Sequence, residues 1–257
     1  MSHIHPTASV SSKAELADDV SVGPYTVIEE DVTVDSGSVI ASSVLLASGA
    51  RIGRNVSISH GAVIATQPQD LKFGGEITTA VIGDNTVIRE YVTVNRGTKY
   101  HEKTVVGSDC LLMAYSHVAH DCIIGNNVIM ANSVNLAGHV EVDEYAILGG
   151  VLPVHQFVKI GAHCMIGGGF RVQQDICPYS LVGGYPLKVV GINSVGLRRR
   201  GFSRETIRQL EKAYKLLFFS ELNTSQAVER IYDEVEIIPE VKTVLEFVER
   251  SNRGIIK

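Results

Sequence analysis

Residues 20–64 read VSVGPYTVIEEDVTVDSGSVIASSVLLASGARIGRNVSISHGAVI, and an aliphatic side chain falls at every sixth position: Val22, Ile28, Val34, Ile40, Leu46, Ile52, Ile58 and Ile64. Neither a helix (period 3.6) nor a lone strand (period 2) requires a strict six. A stacked hexapeptide solenoid does. The series extends back through Leu16 and Val10 to Ile4. It returns in phase at Ile82, Ile88 and Val94, then runs from Val106 through Leu112, Val118, Ile124, Met130, Leu136, Val142, Leu148, Val154, Ile160 and Ile166 to Val172. The residue two before the aliphatic is small or branched (Thr26, Ser38, Ala50, Ala62, Cys110, Ser116, Cys122). Positions i and i−2 share a strand face, so both point inward. Each hexad is therefore one short strand plus a corner. Three hexads close a triangular coil of 18 residues, and coils stack about 4.8 Å apart. Gly23, Gly53, Gly83, Gly107, Gly125, Gly161 and Gly167, just after the aliphatic, and Asn55, Asn85 and Asn127 are expected to supply the left-handed conformations of tight corners.

Two stretches, 65–80 (ATQPQDLKFGGEITTA) and 95–105 (NRGTKYHEKTV), keep the phase by length but lack the pattern. Both read as loops thrown out from the coil, and long loops in a compact repeat tend to be functional. The repeat stops near Pro178. Ser203 is the expected N-cap of a helix carrying Ile207, Leu210, Tyr214, Leu217 and Phe218. Ser225 is expected to open a second through Val228, Ile231 and Val235, and Pro239 a third through Val241, Leu245 and Val248, which Gly254 ends. The chain divides into a parallel β-helix over 1–190 and a helical domain over 191–257.

The 257 residues suffice for a large core. No apolar run is long enough to span a membrane, and no signal peptide precedes Ile4, so a cytoplasmic location is expected. A net charge of −5 gives no general attraction to nucleic acid. Cys110, Cys122 and Cys164 occupy the inward slot and no CxxC pair exists, so neither a disulfide nor a zinc-thiolate site is indicated. Basic residues gather locally at Arg198, Arg199 and Arg200, with Lys188, Arg204 and Arg208 nearby.

Coil arithmetic brings chemistry together on the outer surface. His120, Gly138 and Gln156 are 18 apart and form one column. Asp121 and His139 form the next, His155 lies beside Gln156, and His117 comes just before His120. An imidazole titrating near neutrality suits a general base. Asp121 could fix its tautomer, but neighbours on a strand point oppositely, so the pair needs a corner to touch. The Gly138 amide could meet a developing oxyanion. His3, His5, His60, His101 and His163 read as solvated surface side chains. A zinc site of three histidines competes with this reading, although the spacings 3, 19 and 16 of His117, His120, His139 and His155 match poorly those of β-helix carbonic anhydrases. A structural or ice-binding β-helix would present flat Thr or Ser faces, which are absent.

LLMAYSHVAHDCIIGNN (111–127), NLAGHVEVDEYAILGG (135–150), VHQFVKIGAH (154–163), QPQDLKF (67–73) and GLRRRGFSRE (196–205) resemble the bacterial acyl-[acyl carrier protein]–UDP-N-acetylglucosamine O-acyltransferases over the full chain. The resemblance implies a left-handed parallel β-helix with C-terminal helices, assembled as a homotrimer with sites between subunits. It also implies the first reaction of lipid A synthesis. His120 would act as general base, with Asp121 supporting it and Gly138 holding the oxyanion. Asp70, Lys72, His117, His139 and Gln156 would contact the sugar, and His155, Asn193, Arg199 and Arg200 the nucleotide or its phosphates. No metal and no bound cofactor are implied. The donor is acyl-phosphopantetheine on acyl carrier protein, an acidic partner for the basic cluster. A related N-acyltransferase carries an extra N-terminal domain, whereas the hexads here begin at Ile4. Val195 stands where the family commonly has Glu, and Gly168 where some members place a bulkier residue that shortens the acyl groove, so a long groove is expected here.

Overall fold

The computed structural model describes residues 3–257. Each hexad forms a strand, mostly of two residues, that ends on the repeating aliphatic, as in Ser21–Val22, Val27–Ile28 and Thr33–Val34. Successive strands go to different sheets, and every third strand pairs in parallel with the one before it in its sheet. Three long faces result, one of 11 strands and two of 8. The coil winds left-handed, against the usual right-handed rule for parallel crossovers. Register is one coil: Ile4 sits beside Val22, Val22 beside Ile40 and Leu112 beside Met130. The repeating aliphatics and the residues two before them fill the interior, from Val20 and Val22 to Val172. Each large aliphatic so buried contributes about 1.5–3 kcal/mol. Small polar residues are tolerated inside because the corners satisfy them. Thr26 donates to the Ala41 carbonyl at 2.6 Å and Ser38 to that of Gly53 at 2.8 Å. Ile4, in the first described strand, is exposed, unlike its counterparts further along the ladder.

The corner chemistry differs from expectation. The left-handed residue is the third after the aliphatic, as at Tyr25, Asp31, Gly37, Ser43, Asn55, Asn85, Asp121, Asn127 and His139. Asn is used there as predicted. Gly23, Gly53, Gly83, Gly107, Gly125, Gly161 and Gly167 are not in that conformation. Most of them are glycine because the next coil's backbone lies against them: a Cβ on Gly23 would stand 2.7 Å from the Ala41 carbonyl carbon and 2.9 Å from the Ser42 nitrogen.

The two loops are whole-hexad insertions. Ile64 pairs with Val94, a step of 30 residues, and Val94 with Val118, a step of 24. They therefore add twelve and six residues to a turn, and the coil resumes in phase. The strands Val63–Thr66 and Thr79–Ile82 narrow the first excursion to 67–78, and Thr93–Asn95 and Lys103–Val106 narrow the second to 96–102. The excursions touch: Thr78 donates to the Gly97 carbonyl at 2.6 Å, Asn95 to that of Gln67 at 3.2 Å, and Arg96 lies over the Phe73 ring.

The ladder outlasts Pro178. Strand Ser180–Gly183 pairs in parallel with Met165–Ile166, and Lys188–Ile192 adds antiparallel to it, across residue 190. Four helices follow: α1 (Ser194–Arg199), α2 (Arg204–Phe218), α3 (Thr224–Glu234) and α4 (Pro239–Glu249). Ser203 caps α2 by accepting from the Thr206 amide. The α3 cap is Asn223, in a capping box with Gln226, rather than Ser225. Gly254 does not end α4, which stops at Glu249; it lies in the tail that returns to bridge Ile255 to Asp175. The short α1 carried no periodic signal. Buried Tyr214 of α2 hydrogen-bonds Ser180 at 2.9 Å and the Pro178 carbonyl, fastening the helices to the end of the coil. Among the described residues no helix is long and apolar enough to cross a membrane.

His163 is not solvated. It is 8% exposed, stacked between Tyr145 and Tyr179 with Phe202 against its edge. Burial first, then the nearby Arg200 charge, push its pKa down to about 4. An unfolded chain takes up this proton near pH 6.5, whereas the folded one does not until about pH 4. Stability is therefore full above pH 6.5 and is lost as pH falls towards 4, by on the order of 3 kcal/mol. Thermal unfolding should show a shallower fall over this range in His163→Phe than in the wild type. In the same assay at pH 7, Gly23→Ala should lower stability by about 1–3 kcal/mol, because its methyl meets backbone that cannot move aside.

Candidate active site

His120 and Asp121 occupy the corner that follows strand His117–Val118. The left-handed conformation of Asp121 (φ 59°) turns its side chain beside that of its neighbour. His120 Nδ1 and Asp121 Oδ2 are 2.8 Å apart. The Asp121 side chain is fully buried. Oδ1 accepts from the amides of Thr98 (3.0 Å) and His101 (3.1 Å), and Oδ2 from the Thr98 hydroxyl (2.7 Å). Burial opposes its ionisation, but the bonds from His120, the Thr98 hydroxyl and the two amides outweigh it and hold the carboxyl below its usual range. An ionised carboxylate only accepts, so Nδ1 carries the proton and Nε2 is left as a base.

One coil on, Gly138 lies against the His120 ring. A Cβ there would stand 2.6 Å from Cε1 and 2.7 Å from Nε2. The Gly138 amide donates to no backbone carbonyl among the described residues. His139, in the next column, has Nδ1 3.8 Å from Asp121 Oδ2 and its ring stacked on Phe157 at 4.3 Å. Burial is the main cause of its lowered pKa, and the Asp121 charge works against it. His139 Nδ1 is buried without a hydrogen-bond partner. His120, Asp121 and His139 each offer one ligand atom, all within 4.8 Å of one another, so this trio could hold a metal ion.

The excursions wall a cavity of about 550 Å³ over this corner, with Asp70, Lys72 and Glu76 from the first, Thr98, Lys99 and Tyr100 from the second, and His139 and Phe157 as the floor. His117 lies on the adjoining strand, bonded to Thr93 at 2.7 Å; burial, then the nearby His120, lowers its pKa. Gln156 is exposed in the column of Gly138, and His155 Nδ1 contacts its carbonyl at 3.1 Å. The remaining expected residues sit elsewhere in the chain. Asn193 is buried and caps α1, accepting from the Gly196 amide and donating to the His163 carbonyl. Arg199 and Val195 line a cavity of about 340 Å³ with Ile147, Met165 and Leu181, which belong to the 11-stranded face. Arg200 lies over the Tyr145 ring. Gly168 is on another corner, where a Cβ would stand 2.7 Å from the Gly150 carbonyl oxygen, so a side chain there would displace the neighbouring coil's backbone.

Sequence reasoning missed Thr98, Tyr100 and Phe157. Phe157 is 18 residues after His139, and the same arithmetic finds it. Thr98 and Tyr100 are on an excursion whose path no periodicity encodes. Thr98→Val should raise the Asp121 pKa, read by carboxyl ¹³C NMR, and destabilise the fold by about 1.5–3 kcal/mol, while Thr98→Ser stays close to wild type.

Comparison with known proteins gives a consistent picture. Residues 175–256 match the family model described as Udp N-acetylglucosamine O-acyltransferase, domain 2, and residues 103–138 match the bacterial transferase hexapeptide repeat. The chain is 50% identical over 258 aligned residues to the acyl-[acyl-carrier-protein]–UDP-N-acetylglucosamine O-acyltransferase of Thiobacillus denitrificans, covering all of both chains. It is 52% identical to the protein of that name from Alkalilimnicola ehrlichii, again over the full length of both. The solved structure of LpxA from Acinetobacter baumannii superposes with a TM-score of 0.95 at 41% identity, covering 99% of each chain.

Proposed function

The chain belongs to the acyl-[acyl carrier protein]–UDP-N-acetylglucosamine O-acyltransferase family, and from that membership we propose that its His120–Asp121 couple transfers an acyl chain from acyl carrier protein to the 3-hydroxyl of UDP-N-acetylglucosamine, the step that opens lipid A synthesis. The observation that carries the mechanism is the couple itself, a buried carboxylate bonded to His120 Nδ1 directly over Gly138. His120 Nε2 removes the proton of the sugar hydroxyl, and the oxygen attacks the thioester carbonyl. Charge develops on the carbonyl oxygen beside the Gly138 amide, which is free to donate to it. Collapse breaks the carbon–sulfur bond, and the departing phosphopantetheine thiolate takes the proton from the imidazolium. The products are the sugar ester and the free carrier thiol. Asp121 holds the tautomer and stabilises the imidazolium.

Asp70, Lys72 and His139, in the cavity wall and floor, bind the sugar, with His117 and Gln156 at its margin. Asn193, Arg199, Arg200 and Gly168 lie on other parts of the same protomer. A homotrimer, in which a neighbour's surface meets this corner, brings them to the substrate: the arginines to phosphate, which their planar forks suit, and Gly168 to the acyl chain. His155 joins the nucleotide contacts. The basic cluster of Arg198, Arg199 and Arg200 with Arg204 and Arg208 receives the acidic carrier protein. A cytoplasmic location accords with this reading.

Purified protein with UDP-N-acetylglucosamine and a panel of 3-hydroxyacyl carrier proteins should form ester product. His120→Ala should lower turnover by about 10²–10⁴-fold, the contribution of a general base. Absence of product at every acyl length would overturn the assignment.

A further inference from the structure

The corner that holds His120 also gathers three side chains able to ligate a metal ion. We propose that His120, Asp121 and His139 bind a first-row divalent cation of zinc-like preference, and that this ion inhibits the enzyme by taking His120 Nδ1, which moves the ring proton to Nε2 and so removes the base. The inhibitory half rests on the reading of His120 above; the binding half does not.

Three observations converge. First, the geometry is nearly that of a coordinated ion. Tetrahedral bonds of about 2.0–2.1 Å set neighbouring ligand atoms about 3.3 Å apart. Asp121 Oδ2 lies 2.8 Å from His120 Nδ1 and 3.8 Å from His139 Nδ1, on either side of that spacing. One ligand atom from each of the three residues lies within 4.8 Å of the others, so turning the two rings towards the carboxylate would close them around an ion. Second, His139 Nδ1 is buried and unpartnered. A buried polar atom without a partner calls for one, and a metal ion would supply it. Third, the outer shell is in place. The Thr98 hydroxyl and the amides of Thr98 and His101 hold the carboxylate, while Phe157 and Tyr100 fix the His139 ring by a stack and an edge contact. Such supports orient ligating groups and sharpen affinity. Two imidazoles and one carboxylate suit Zn²⁺, Co²⁺ or Fe²⁺ rather than Mg²⁺ or Ca²⁺.

The test uses the full-length protein stripped with EDTA and titrated with Co²⁺, then with Zn²⁺. One Co²⁺ per chain should bind with the intense visible bands of four-coordinate cobalt, and Zn²⁺ should displace it. His139→Asn and His120→Gln, each checked for folding by circular dichroism, should lose these bands, while His117→Asn keeps them. In the transfer assay saturating Zn²⁺ should lower turnover about 10²-fold or more, the worth of a general base, and EDTA should restore it. Weak octahedral bands, undiminished binding in folded His139→Asn, or full turnover with zinc bound would each overturn the proposal. If metal-free protein transfers no acyl group, the acyltransferase reading fails instead, and the cobalt titration still decides the site.

Discussion

One conformational device underlies most of this molecule: from Tyr25 onward the backbone enters the left-handed region at the corner of nearly every hexad, so that a short strand can turn and the next can begin. Three such corners return the chain to its start, one strand spacing higher, and the inward side chains land on their counterparts in the coil below. The core is thus a set of stacked like residues, Val22 with Ile40 and Leu112 with Met130. Because each coil depends on its neighbours for burial, the corner geometry must repeat without error. That is why insertions come in whole hexads, and why the glycines beside the corner tolerate no methyl group.

The same constraint creates the His120–Asp121 couple. On a strand His120 and Asp121 would face opposite sides. At a corner, with Asp121 left-handed, they meet at 2.8 Å. Asn and Asp accept that conformation more readily than most residues, so a carboxylate costs little there. The coil above supplies a glycine whose missing side chain admits the imidazole. The imidazole, its carboxylate partner and the amide are set by the repeat itself, on rigid elements, and this limits how far they can drift from one another.

What the repeat cannot supply comes from the excursions. A buried carboxylate without partners would raise its own pKa or unfold its surroundings. The 96–102 segment satisfies Asp121 through two amides and a hydroxyl, and with the 67–78 segment it builds the walls of the cavity. The excursions are thus part of the electrostatics of the dyad as well as the wall of the cavity.

Sequence by itself determined the β-helix, its 18-residue coil, the positions of both excursions, three of the four helices, and the columns that unite His120 with Gly138 and Asp121 with His139. All of these follow from periodicity, because a strict repeat converts residue number directly into position. Tertiary structure alone decided the rest. Whether a glycine beside a corner serves conformation or close approach depends on the neighbouring coil, and the answer was approach. His163 looked like any surface histidine until Tyr145, Tyr179 and Phe202 from three segments enclosed it. Thr98 and Tyr100 lie where the period is silent, and their roles exist only once the excursion has folded back over the corner. Asn193, Arg199 and Gly168 show the same limit from the other side: motif resemblance groups them with His120, but the chain's own faces hold them apart, because proximity there is a matter of how surfaces meet rather than of spacing along the chain.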